Sequence, residues 1–152
     1  MRKFRRPPAP RLFVFLLLAS CCVFVSPVPA QSGKAASPAQ GSPERKAVLD
    51  AVRVRLQLKS QFKVYHLKLK GNWAYFHGGE VVDAGEGELQ ETDLDVKALL
   101  ERKQIRGQPL WTVAELWTLP TDDKFSYKNF ALRTRRRQKL SGVPADIFPP
   151  DM

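Results

Sequence analysis

The sequence predicts an α+β domain: one N-terminal amphipathic helix packed on a four-stranded antiparallel sheet, with an irregular C-terminal tail. Three observations carry that expectation. Apolar residues recur at helical spacing after Ser42-Pro43. The pattern changes to alternation at Phe62–Lys70 and resumes after Gly71-Asn72. Two later runs, Val96–Lys103 and Leu110–Leu119, flank a turn signal at Arg106-Gly107. A helix followed by four antiparallel strands makes two layers, with one sheet face covered.

A leader precedes that domain. Arg2, Lys3, Arg5, Arg6 and Arg11 come before the apolar run Leu12–Leu18, and Val28-Pro29-Ala30 supplies small residues before polar Gln31-Ser32. Residues 1–30 read as a secretory signal peptide cut after Ala30, and the working protein as exported, periplasmic or secreted. The alternative is Leu18-Ala19-Ser20-Cys21, which resembles a bacterial lipobox and would anchor a lipoprotein at Cys21. The apolar Cys22-Val23-Phe24-Val25 that follows weighs against it. As an uncleaved anchor, a block broken by Ser20 and Pro27 falls short of the roughly 20 residues needed to span a bilayer.

Composition narrows the chemistry. Cys21 and Cys22, the only two cysteines, leave with the signal. The domain then has no disulfide, thiol nucleophile or cysteine metal site, and rests on one hydrophobic core. Half of the formal charge of +10 leaves as well. What remains is segregated. Glu80 to Asp95 holds seven acids and no base; Lys124 to Lys139 holds seven bases and no acid. Such separation suits head-to-tail contact or docking on an opposite charge; solvated loops of opposite sign are the alternative.

Along the chain, residues 31–42 (QSGKAASPAQGS) are small, polar and aperiodic, and read as a disordered spacer. Residues 43–152 form a single small domain, with the tail from about residue 120. Ser42 suits a helix cap, Pro43 the first helical position and Glu44 the positive dipole end. Val48, Val52 and Leu56 line one side of a helix over about Pro43–Leu58, with Arg45, Lys46, Arg53 and Arg55 on the other. Phe62–Lys70 and Trp73–His77 then make a hairpin around a two-residue Gly-Asn turn of type II′. That turn sets Lys70 opposite Trp73, Lys68 opposite Tyr75 and His66 opposite His77. On the other face Leu69 meets Ala74 and Leu67 meets Phe76. The apolar face meets the helix.

Asp83–Thr92 reads as a Gly- and acid-rich loop. Val96–Lys103 fits helix or strand, since Leu94, Ala98 and Leu99 suit helical spacing; strand is favoured, because it pairs across Arg106-Gly107 with the Trp-, Thr- and Val-rich run Leu110–Leu119. Pro120-Thr121-Asp122-Asp123 ends the last strand. The tail from Phe125 to Met152 is expected to hold a short helix near Tyr127–Leu132 and otherwise to wrap the surface.

Leu69-Lys70-Gly71-Asn72-Trp73-Ala74-Tyr75, the later Trp111-Thr112-Val113 and the ending Gly142-Val-Pro-Ala-Asp-Ile-Phe-Pro149 resemble a group of exported bacterial proteins without an assigned activity. The resemblance covers about residues 44–149. It implies a cystatin-like or nuclear-transport-factor-like helix-on-sheet core and no particular reaction. The basic stretch Arg133–Lys139 departs from that pattern.

The expected contact surface is the open sheet face, carrying His66, Trp73, Tyr75, His77, Trp111, Glu115 and Trp117. An aromatic surface of that kind binds a ligand, an envelope protein or a second copy of the chain, unless the tail folds over it. Trp73→Ala should then weaken binding and spare the fold. Arg133, Arg135, Arg136, Arg137 and Lys139 are candidates for contact with an anionic membrane surface or polymer. Export and the absence of a nucleic-acid module exclude nucleic acid as a partner.

The His66/His77 pair lacks a third ligand unless Glu115 joins it, so no metal site is assigned, and no cofactor is implied. Asp83–Glu88 departs from a calcium loop at its third and fifth positions. No G-x-S-x-G, P-loop or H-E-x-x-H occurs. The sequence leans away from an enzyme and assigns no catalytic residue. It favours a small exported binding module. The alternatives are a hydrolase- or isomerase-type enzyme pairing His66 or His77 with Glu115 in a pocket, and a dimeric structural subunit of the envelope.

Overall fold

The first helix begins where its capping chemistry sets it. In the computed structural model, which describes residues 33–121 and 124–152, the Ser42 side chain accepts a hydrogen bond from the Arg45 N–H, and α1 runs Pro43–Leu56. Gln57 ends it in the left-handed region at φ 58°. Val48, Leu49 and Val52, at helical spacing, are the buried residues of α1.

The chain then makes four strands: β1 (Gln61–Lys70), β2 (Trp73–Gly85), β3 (Glu88–Ile105) and β4 (Gln108–Leu119). They lie antiparallel in the order β1-β2-β3-β4. The first hairpin has the register its turn dictates: Lys70↔Trp73, Lys68↔Tyr75, His66↔His77, Leu69↔Ala74 and Leu67↔Phe76. Gly71 sits at φ 58°, the conformation a type II′ turn demands of its first central residue. Arg106 and Gly107 both have positive φ, as a type I′ turn between β3 and β4 requires.

Three expectations need correction. Asp83–Thr92 is not a loop. The β2–β3 ladder continues through Val82↔Gln90 to Gly85↔Glu88, and only Glu86-Gly87 turns. Cross-strand hydrogen bonding overrides the poor strand propensity of glycine and acids there, and leaves an acidic, solvent-facing arm.

The tail is not irregular either. It holds α2 (Lys124–Ser141), stopped by Gly142 at φ 66° with Pro144 beyond, followed by a 3-10 turn at Ala145–Ile147. The fold is α+β with a four-stranded antiparallel sheet and two helices. Each helix side has its own core. On one face Leu67, Leu69, Ala74, Phe76, Val96, Ala98, Leu100 and Trp111 pack with Val48, Leu49 and Val52 of α1. On the other, Trp73, Tyr75, Leu99 and Trp117 pack with Phe130, Val143 and Ile147. The sheet is the middle of three layers.

Nor is the spacer wholly free. Ala36 exchanges both backbone hydrogen bonds with Leu69, at 3.0 and 2.9 Å, and so occupies part of the outer edge of β1. The signal peptide, its cut after Ala30 and the lipid site at Cys21 fall on residues 1–32, outside the described residues. Among the described residues no helix is long and apolar enough to cross a membrane.

Gly78 shows how tightly the hairpin closes. A Cβ there would lie 2.6 Å from the Lys63 carbonyl oxygen and 2.8 Å from Phe76 Cζ, so glycine alone fits. One residue beyond Val64, the β1–β2 register shifts and Tyr65 becomes the extra residue.

Candidate functional site

The expected contact face exists, but it is covered. His66, Trp73, Tyr75, His77, Glu115 and Trp117 all lie on the side of the sheet that faces α2 and the 3-10 turn. Trp73 is 8 % exposed, Tyr75 0 % and Trp117 4 %. This overturns the open-face assignment. Large aromatic side chains on a sheet demand burial, and α2 supplies it through Phe130 and Tyr127. The Tyr127 ring meets Trp117 edge-on at 5.1 Å and stacks near Phe130 at 6.1 Å.

Trp111 belongs to the other face. Leu99 pairs with Glu115 but Leu100 with Val113, so Ala114 is an extra residue in β4. One extra residue exchanges the faces of everything beyond it. Trp117 therefore meets α2, whereas Trp111 packs on the α1 side. There the Arg102 guanidinium lies 4.6 Å from the Trp111 ring centre, and Arg102 also pairs with Glu44 of α1.

His66 holds a covering element, whereas His77 bonds within the sheet, to β3. His66 Nε2 lies 2.8 Å from the Ile147 carbonyl oxygen. Beside it Asp146 accepts from Lys70 Nζ and from the Ala35 N–H, both at 3.0 Å. Three residues spaced along β1 and its edge thus hold the C-terminal turn. His77 Nε2 lies 2.9 Å from Asp95 Oδ1, and Lys97 Nζ donates to Asp95 Oδ2 at 2.7 Å. The Lys97 ammonium also sits 4.4 Å from the Trp117 ring centre and 5.4 Å from that of Tyr127. Among the described residues no three His, Cys, Asp or Glu side chains gather as a metal site would require.

Glu115 does not bond either histidine. Arg133 Nε donates to its Oε2 at 2.8 Å and Arg137 Nε to its Oε1 at 2.6 Å. The two arginines are one helical turn apart, so a single carboxylate receives both. Burial works against the charged form of Glu115, but the bonds from Arg137 and Arg133 outweigh it and hold the carboxyl below its ordinary range. Arg135 donates from Nη2 to the Met152 carbonyl oxygen at 2.7 Å. Of the five basic residues expected to meet an anionic surface, Arg133, Arg135 and Arg137 thus have partners within the fold. Arg136 and Lys139 are exposed and have no ion pair among the described residues.

Sequence reasoning missed Asp95, Lys97, Tyr127, Phe130 and Thr134. The last three were readable: they recur at spacings of three and four residues, one stripe of a helix.

His77 carries a pH dependence. Burial, the largest cause, and the Lys97 charge hold its pKa below the ordinary 6.5, against the pull of Asp95. As pH falls below 6.5 the unfolded chain takes up this proton before the folded one. The stabilising contribution is therefore complete above that value and is lost as pH falls toward the folded pKa. Urea midpoints are expected to decline as pH falls below 6.5, and His77→Gln to flatten the decline. A midpoint that rises over that window would contradict the burial of this ring.

No protein-family model matches the chain, and neither a curated protein nor a solved structure matches it with significance.

Proposed function

We propose that this protein is a small exported binding module that docks on an anionic lipid surface through the outer side of α2. One observation carries the reading. Lys128, Leu132, Arg136, Lys139 and Leu140 all face solvent, with Leu132 53 % and Leu140 73 % exposed, and α2 has no acidic residue along its length. Cations interleaved with exposed leucines match an interface where headgroup charge lies beside acyl chain. The inner side of the same helix is spent on the sheet, and Arg133 and Arg137 on Glu115. The outer row has no such internal duty.

A binding role is also favoured over the His/Glu enzyme, because both oxygens of Glu115 are occupied by arginine. The leader at residues 1–30 supports an envelope location.

Each basic residue near an anionic leaflet contributes about 1 kcal/mol, so three give weak, salt-sensitive attachment. The protein is expected to sediment with phosphatidylglycerol-containing vesicles and not with pure phosphatidylcholine. The double variant Arg136→Glu/Lys139→Glu should lose about tenfold or more in partitioning. About 1 M salt, which shortens the screening length to about 3 Å, should release the wild type. Equal sedimentation with neutral vesicles would overturn the proposal.

A further inference from the structure

A cleft of about 260 Å³ opens between the C-terminal half of α2 and the segment that follows the 3-10 turn. Thr134, Arg135 and Gln138 line it from the helix, and Phe148, Pro149 and Met152 from the opposite side. It is separate from the outward row of α2 and shares neither Arg136 nor Lys139.

Its polar side is a set of donors. Thr134 is 1 % exposed, and its Oγ1 has no hydrogen-bond partner among the described residues. A buried hydroxyl is rarely left so, and such an orphan marks a place where something else completes the bond. Arg135 uses Nη2 to latch the Met152 carbonyl oxygen across the cleft. Its remaining N–H groups have no partner among the described residues. Gln138 adds an amide, and no Asp or Glu side chain lines the cleft.

The other side is apolar and rigid. Pro149 and the Phe148 ring form it, and Phe148 is held edge-on to Tyr75 at 5.3 Å. Thr134, Arg135 and Gln138 stand on the helix side of the cleft, and Phe148 and Pro149 on the other. That arrangement complements an anion with two acceptor oxygens on an apolar body. The volume is below the roughly 300–1,000 Å³ of drug-sized sites, so the occupant is small.

We infer that this cleft binds a small carboxylate with an apolar body, of the aryl or short-chain fatty class. The Arg135 guanidinium receives the carboxylate, the Thr134 hydroxyl donates to it, and Phe148 and Pro149 hold the body.

Methyl NMR of the protein labelled at methionine and threonine tests this, with benzoate as the probe and benzyl alcohol as its neutral counterpart. Benzoate should produce saturable shifts at the Met152 and Thr134 methyls, with an affinity on the order of 1 mM. Arg135→Gln should weaken binding about tenfold or more, whereas Lys59→Gln, ahead of β1 and outside the cleft lining, should not change it. Since Arg135 also holds the Met152 wall, Thr134→Val gives a second reading. It removes a hydroxyl with no internal bond to lose, so the melting temperature should hold or rise while benzoate binding falls. The inference is overturned by absence of saturable shifts, by equal binding of benzyl alcohol, by shifts confined to the outer side of α2, or by unchanged affinity in Thr134→Val.

Discussion

Trp73→Ala is expected to lower the free energy of unfolding by about 3–5 kcal/mol, the usual loss for truncating a buried tryptophan. The residue begins β2, directly after the Gly71-Asn72 turn, and only 8 % of it is exposed. It packs in the cluster of Tyr75, Leu99, Trp117 and Phe130. The same substitution on a solvent-facing sheet would cost within about 0.5 kcal/mol. The size of the effect therefore separates a covered face from an open one. The turn itself should survive, since the Asn72 carbonyl accepts from the Arg102 N–H at 2.8 Å and the backbone register does not need the indole. Urea denaturation followed by circular dichroism is the measurement. A loss below about 1 kcal/mol, with an unchanged m-value, would return Trp73 to solvent and restore a contact role for it.

How far the sequence disclosed this architecture depends on the range of each signal. The turn end of the β1–β2 hairpin, from Lys70↔Trp73 to His66↔His77, was legible to the residue, because a two-residue turn fixes pairing and alternation fixes the faces; the shift at Tyr65 and the run of β2 on to Gly85 were not. The start of α1 was legible for the same kind of reason: Ser42, Pro43 and Glu44 each satisfy a local requirement. Glu115 and Trp117 were assigned to the correct face. Trp111 was not, because the extra residue at Ala114 has no local signature; it exists only as a mismatch between β3 and β4. The bulge is also what brings Glu115 toward α2.

The covering helix was hidden by composition. A run of four arginines, a lysine and a glutamine between Leu132 and Leu140 reads as a solvated loop, although arginine is a good helix former. Its stop signal, Gly142 followed by Pro144, was present and is the feature that gives the helix its true length. The destiny of the basic residues was not readable at all. Whether Arg133 and Arg137 meet solvent or Glu115 depends on where α2 docks, which is a tertiary fact. The same holds for His66 and His77: their pairing across strands followed from the turn, but their bonds to Ile147 and Asp95 did not.

Phe130→Ala should produce the other large effect, about 3–5 kcal/mol, and should distribute it unevenly. Phe130 is fully buried and is the central apolar contact between α2 and the sheet. The cluster under α1 contains none of the residues that touch it. Losing the ring therefore weakens the attachment of α2 while leaving the opposite core intact. Opening of α2 alone becomes cheaper than global unfolding, which is how sub-global exchange arises. Amide exchange in Tyr127–Leu140 is expected to accelerate well before that in β2 and β3. The aromatic face of Trp73, Tyr75 and Trp117 would then bind a hydrophobic dye that the wild type excludes. The outward basic row is unchanged by the substitution, so vesicle binding should persist for as long as the helix itself does. Uniform acceleration across sheet and helix, with no dye binding, would mean that the two cores rise and fall as one unit. In that case α2 would be a structural layer of the sheet, with no separate opening through which the aromatic face could be reached.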